Sequence, residues 1–177
     1  MTTIGLLVTL ALSLLVAPLT AEAQPPGKVY RIGILETIPV PVNAANLQAF
    51  RQALTAFGYV EGQNFSIEYR SADGRAERFP ELAAELVRLR VDLILTRGTP
   101  AAIAAKKATT TIPIVMAASG DPVGAGLVAS LARPGGNLTG LSSVITELAG
   151  KRLELLREAF PTFSRVALLW NPSNPAA

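Results

Sequence analysis

The chain has 177 residues, 50% of them hydrophobic, with 16 basic and 13 acidic side chains and no cysteine or histidine. Without histidine the usual zinc sites and histidine-dependent catalytic triads are excluded, and without cysteine so are disulfides and a lipid-modified cysteine. The charges are dispersed, so the net charge of +3 makes no concentrated basic face for nucleic acid. We therefore predict no metal, no cofactor and no nucleic-acid partner.

An apolar segment opens the chain. Residues 4–19 are almost all apolar, and Ala21-Glu22-Ala23 follows, with small residues at the positions that a signal peptidase recognises. The run is about 16 residues long, whereas a membrane-spanning helix needs about 20. This pattern predicts a cleavable secretory signal over residues 1–23 and a periplasmic mature chain. The alternative is an uncleaved N-terminal anchor.

The next part of the chain alternates strands and helices with short connections. Apolar or alternating runs predict strands over 30–35, 65–70, 91–96, 112–117 and 138–141, and helices over 44–57, 76–90, 99–107 and 123–132. Asn43 and Thr99 are the predicted N-caps of the first and third helices. This order is typical of an α/β fold with a doubly wound parallel sheet, covered by helices on both faces.

The last part of the chain predicts the beginning of a second unit. A helix over 147–160 and a strand over 165–170 follow the sheet, and the sequence stops in the next loop. A lone strand with half a crossover cannot bury both of its faces. We therefore predict an N-terminal lobe over residues 24–145 and an incomplete second lobe over 146–177. Phe160, Leu168 and Trp170 should then be unusually exposed.

Candidate ligand-binding residues lie in loops after the predicted strands, because open parallel sheets bind ligands beyond the carboxyl ends of their strands. Thr99, with free amides of Ala101 and Ala102 at a helix start, favours an anion such as a carboxylate. The alternative is that Thr99 only caps its helix. Asp121 offers a carboxylate to a ligand or caps the next helix. The predicted binding residues are Thr37, Gly98, Thr99, Ala101, Ser119, Gly120 and Asp121, with Glu36 and Arg97 as further candidates.

Two other motifs carry less weight. Residues 124–129 match the letters of a dinucleotide-binding fingerprint, but no predicted strand runs directly into the glycines as that motif requires. Glu36 and Asp121 could form a pair of carboxylates, which is the only basis in this sequence for an exported hydrolase. We predict no catalytic residue.

Six segments, taken together and in this order, resemble ABC-transporter substrate-binding proteins of the tryptophan- and tyrosine-binding type. They are residues 31–35, 58–64, 72–74, 96–101, 120–123 and 133–140. The resemblance implies a type I periplasmic-binding-protein-like lobe, a second lobe that closes on a small-molecule solute, and an inner-membrane ABC permease as partner. It also implies a monomer. The alternatives are a ligand-sensing domain of a signalling system and, with less support, the exported hydrolase.

Overall fold

The computed structural model describes residues 27–143, 148–169, 171 and 174. The strands are β1 (Tyr30–Glu36), β2 (Phe65–Ser71), β3 (Leu93–Arg97), β4 (Ile114–Gly120) and β5 (Leu138–Ser143). The helices are α1 (Val40–Ala56), α2 (Phe79–Arg88), α3 (Thr99–Ala108) and α4 (Ala149–Ala159), with a short 3₁₀ turn, Ala76–Arg78, before α2. The predicted signal peptide and Trp170 lie outside the described residues.

The strands form one parallel sheet in the order β2-β1-β3-β4-β5. This confirms the predicted doubly wound α/β architecture. Ile32 in β1 pairs with Ile67 of β2 on one side and with Leu93 of β3 on the other. The chain thus moves outward from β1 in both directions, which creates a topological switch point between β1 and β3. Such points open a crevice at the carboxyl ends of the strands.

Each face of the sheet has its own apolar core, because successive side chains of a strand point to opposite faces. On one face, α1 packs Leu47, Phe50 and Leu54 against alternate residues of β1, β2 and β3. On the other face, α2 and α3 cover Leu35, Ile94 and Met116, among others. Phe79, Leu82 and Leu86 of α2 lie three or four residues apart, so a single helix face buries all three.

Three predicted elements differ in the structure. Residues 123–132 form successive turns rather than a helix. Gly126 has a φ of +67°, and the Lys106 ammonium donates hydrogen bonds to the carbonyls of Gly126 and Leu127, which a helix would use itself. Residues 165–169 form no strand, since no strand of the described part pairs with them. Helix α1 begins at Val40, so Asn43 lies buried inside it and is not its N-cap.

Helix α4 is exposed along its whole length. Several apolar side chains that follow it are exposed as well: Leu168 is 85% and Leu169 100% accessible. Phe160 and Leu168 are therefore as exposed as the sequence predicts. Within the described residues, no helix has the length and hydrophobicity needed to cross a membrane.

Candidate functional site

The loops that carry the predicted binding residues meet at the carboxyl edge of the sheet, beside the switch point. Gly98 follows β3, and its amide donates to the carbonyl of Ala118 in β4 at 2.8 Å. This bond joins the ends of the two strands. The loop after β1 reaches the same edge from the other side of the switch point, where the Gly74 amide donates to the Thr37 carbonyl at 2.9 Å.

Thr99 and Ser119 come together as predicted for neighbours on this edge. Their hydroxyl oxygens are 3.0 Å apart, and each hydroxyl is also within 3.3 Å of the Gly120 carbonyl. Both side chains are buried. The pair is therefore a hydroxyl clasp, defined by Thr99 and Ser119, that joins the start of α3 to the end of β4.

The start of α3 differs in detail from the sequence prediction. Gly98 is the N-cap, with a φ of +90°, and Thr99 is the first helical residue, without a side-chain cap bond. The Ala102 amide donates to the Gly98 carbonyl at 3.2 Å, so it is not free. The Ala101 amide has no acceptor among the described residues, but Ala101 is fully buried. A ligand reaches that amide only if the edge opens.

Asp121 begins the turn that follows β4. It is exposed, its φ is +21°, and its Oδ1 accepts a hydrogen bond from the Gly124 amide at 2.8 Å. A Cβ at position 124 would lie 2.0 Å from the Asp121 carboxylate, so Asp121 would have to move if residue 124 carried a side chain. Asp121 thus caps a turn, and the helix that it was expected to cap is absent.

Glu36 and Arg97 form an ion pair across the switch point, with 3.1 Å between Arg97 Nε and Glu36 Oε2. The Glu36 side chain is only 4% exposed, whereas that of Arg97 is 40% exposed. Glu36 Oε1 also accepts the Thr37 amide at 2.8 Å. The carboxylate therefore fixes both the first residue of the β1–α1 loop and the direction of the arginine.

A hydrogen-bonded chain behind Glu36 holds the same loop. Asn43 Nδ2 lies 3.5 Å from Glu36 Oε2 and 3.2 Å from the Tyr69 hydroxyl, which itself donates to the Ile38 carbonyl at 2.6 Å. Burial is the main cause that raises the pKa of Tyr69 above its ordinary value of 10. Sequence reasoning missed Asn43 and Tyr69 as members of this network. The only signal was that Tyr69 falls on the buried side of an alternating strand.

A pocket of about 150 Å³ lies where α1 crosses the ends of β1, β3 and β4. Its apolar residues are Ile34, Leu47, Phe50, Leu95 and Ala117, and its polar residues are Glu36, Asn43, Asn46, Thr96 and Arg97. We call this cavity the α1 pocket. Of the predicted binding residues, none lines it, but the further candidates Glu36 and Arg97 both do. In the described part of the chain, no group of three or more acidic side chains is placed to hold a metal ion.

Comparisons with known proteins assign the chain to a family. A family model described as ABC transporter substrate binding protein matches residues 31–177. The chain is 37% identical over 142 residues to the Tyrosine-binding protein of Clostridioides difficile, and the match covers 80% of this chain and 41% of that protein.

Two solved structures agree with this assignment. A conserved domain protein from Vibrio cholerae has a TM-score of 0.74 at 34% identity, covering 84% of this chain and 50% of that one. An ABC domain from Streptococcus pneumoniae in complex with L-Trp has a TM-score of 0.59 at 33% identity, covering 65% of this chain and 39% of that one. The chain thus spans half or less of the length of these relatives.

Proposed function

Because the chain belongs to the family of ABC transporter substrate-binding proteins, a family of receptors and not of enzymes, we propose that it captures an amino acid or a related carboxylate and delivers it to an inner-membrane ABC permease. The similar proteins from C. difficile and S. pneumoniae are named for tyrosine binding and described with L-Trp, which favours an amino acid ligand. The capture would occur in the periplasm, after removal of residues 1–23.

The observation that carries the proposal is the convergence of polar groups at the carboxyl edge beside a topological switch point. Parallel sheets of this strand order bind their ligands at that place. The proposed contacts are Thr37, Gly98, Thr99, Ala101, Ser119, Gly120 and Asp121, on the lobe formed by residues 24–145. A second lobe that begins near residue 146 would close over the same edge, as expected for a monomeric two-lobed receptor.

Calorimetric titration of the full-length protein with each of the common L-amino acids, and with their amides, tests this function. We expect saturable binding of at least one amino acid and much weaker binding of its amide, which lacks the carboxylate. Absence of binding to every amino acid would contradict the proposal.

Thr99 tests the proposed contacts separately. A hydrogen bond to a charged ligand group contributes about 1.5–3 kcal/mol, so Thr99→Ala should weaken binding about 10- to 150-fold. Thr99→Ser keeps the hydroxyl and should bind within a few-fold of the wild type. The melting temperature must be measured in parallel, because Thr99→Ala also breaks the hydroxyl clasp. An unchanged Kd with a lower melting temperature would show that Thr99 is only structural.

A further inference from the structure

The turn that follows β2 contains a chemically reactive dipeptide. In the sequence, glycine follows an aspartate or an asparagine at one position, Asp73-Gly74. Both residues have a positive φ, +51° for Asp73 and +80° for Gly74, as in the tight turns that favour this dipeptide. Residues 72–74 belong to one of the segments that carry the family resemblance, and the proposed ligand contacts do not include them.

An Asp-Gly bond is open to cyclisation, because glycine has no side chain to shield its amide nitrogen. The Gly74 nitrogen attacks Asp73 Cγ: an N–Cγ bond forms, the bond from Cγ to one carboxyl oxygen breaks, and water leaves with the amide proton. Water then reopens the succinimide ring. Cleavage between the nitrogen and the Asp73 backbone carbonyl carbon gives isoaspartate, whose main chain runs through Cβ and Cγ. The mass is unchanged, but the main chain gains one carbon atom.

The fold engages the nitrogen that would attack. The Gly74 amide donates to the Thr37 carbonyl at 2.9 Å, and the Ala72 amide donates to the Glu36 carbonyl at 2.9 Å. Ala72 is fully buried, so these two bonds fasten the turn to the loop between β1 and α1. The Gly74 nitrogen can attack only after its proton has left the Thr37 carbonyl, and cyclisation therefore requires the turn to open.

The carboxyl group that would be attacked is engaged as well. Asp73 Oδ1 accepts a hydrogen bond from the Ser71 hydroxyl at 2.7 Å, and Oδ2 accepts one from Arg78 Nη1 at 2.8 Å. These bonds, with that from Ser71 first, lower the pKa of Asp73 below its ordinary value of 3.8. They thus favour the carboxylate, which is the unreactive form because cyclisation expels hydroxide from the protonated acid. All of these contacts lie within residues 36–78, so they do not depend on what packs around the turn.

We propose that Asp73-Gly74 is the site at which this protein isomerises to isoaspartate, and that the hydrogen-bonded turn suppresses the reaction while the chain is folded. The extra main-chain carbon would move the Gly74 amide away from the Thr37 carbonyl and detach the turn from the β1–α1 loop. Thr37 is a proposed ligand contact, so isomerisation would also weaken ligand binding. Only this last consequence rests on the proposed function.

Peptide mapping of the full-length protein tests the site, because isoaspartyl and aspartyl peptides of equal mass separate chromatographically. The protein is incubated at neutral pH in buffer and in concentrated urea, beside a synthetic peptide of residues 70–77. Folding should slow isomerisation at residue 73 roughly 10- to 100-fold, since the reaction must break the bonds of the turn to Thr37 and Ser71. The unfolded protein and the peptide should react at the same rate. Equal rates in buffer and in urea would overturn the protection, and isoaspartate that accumulates first at another residue of this chain would overturn the site.

Two substitutions test whether the turn contacts provide the protection. Ser71→Ala removes the hydroxyl that holds both the amide and the carboxylate of Asp73, and should speed isomerisation in buffer about 2- to 10-fold. Arg78→Gln removes an exposed ion pair and should speed it roughly 2- to 5-fold. Arg88→Gln, an exposed arginine of α2, is the matched control and should react at the wild-type rate. In urea all four proteins should react alike. If neither Ser71→Ala nor Arg78→Gln differs from Arg88→Gln in buffer, the assignment to these contacts is wrong.

The functional consequence has its own measurement. Isomerised and intact full-length protein are separated chromatographically and titrated with the same amino acid. The isomerised protein should bind several-fold more weakly. Equal affinities would overturn the coupling between the turn and the ligand edge, whereas absence of amino acid binding to the intact protein would overturn the proposed function and leave the isomerisation site standing.

Discussion

Replacing Tyr69 by phenylalanine isolates the contribution of one hydroxyl to the edge of the sheet. The hydroxyl donates to the Ile38 carbonyl at 2.6 Å and accepts from Asn43 at 3.2 Å. Each hydrogen bond contributes about 0.5–1.5 kcal/mol net, so Tyr69→Phe should lower the free energy of unfolding by about 1–3 kcal/mol. Urea denaturation of the full-length protein measures this directly, as a lower midpoint at an unchanged slope.

Tyr59→Phe is the control for this experiment. The Tyr59 ring packs edge-to-face on Phe65, with 6.4 Å between ring centroids, and its hydroxyl has no partner among the described residues. Its removal should change the free energy of unfolding by less than about 0.5 kcal/mol. If the two phenylalanine variants unfold at the same urea concentration, the hydrogen-bonded chain through Tyr69 contributes nothing and the reasoning fails.

The pH dependence gives a second signature of the same hydroxyl. Burial raises the pKa of Tyr69 above 10, so the folded state holds the proton more tightly than the unfolded state does. The resulting stabilisation is complete below pH 10 and is lost as the pH rises through the folded-state pKa. The advantage of the wild type over Tyr69→Phe should therefore shrink above pH 10 in urea titrations.

Three further substitutions test other parts of the structure. Gly140→Ala should disrupt the pairing of β5, because a Cβ at this position would lie 2.2 Å from a backbone oxygen of β4 and the φ of Gly140 is +141°. Gly136 lies in open space, so the control variant Gly136→Ala should keep the melting temperature of the wild type, as measured by circular dichroism. Thr96→Val should raise the melting temperature, since the buried Thr96 hydroxyl has no partner among the described residues and its desolvation is uncompensated. The hydrogen bond from Lys28 is the main cause that lowers the pKa of Asp92 below 3.8. Asp92→Asn should therefore have a lower free energy of unfolding than the wild type near neutral pH, and this difference should disappear as the pH falls well below 3.8.

The sheet was predictable because its information is local. Apolar or alternating runs of four to six residues predict the strands, and the helical segments between them predict that the strands are parallel. The start of α1 could not be predicted in the same way, because Pro39 and Pro41 are typical of a loop. Proline is nevertheless compatible with the first turn of a helix, where its missing amide has no helical acceptor, and the structure uses Pro41 in that position.

The turns over residues 123–132 show what sequence spacing cannot supply. Their backbone is set by Lys106, whose ammonium donates to the Gly126 carbonyl at 2.7 Å and to the Leu127 carbonyl at 3.0 Å. That contact joins positions 20 residues apart in sequence. Tyr69 and Asn43 escaped prediction for the same reason, since their hydrogen bond depends on how α1 lies on β2.

The division of roles at the carboxyl edge follows from which groups are already paired. Thr99 and Ser119 already pair with each other and with the Gly120 carbonyl, so a ligand that binds either hydroxyl must displace an existing hydrogen bond. Arg97, at the same edge, is 40% exposed and is oriented by its ion pair with the buried Glu36. The comparison of Thr99→Ala with Thr99→Ser therefore measures whether the hydroxyl clasp opens to contact the ligand or only holds the edge in shape.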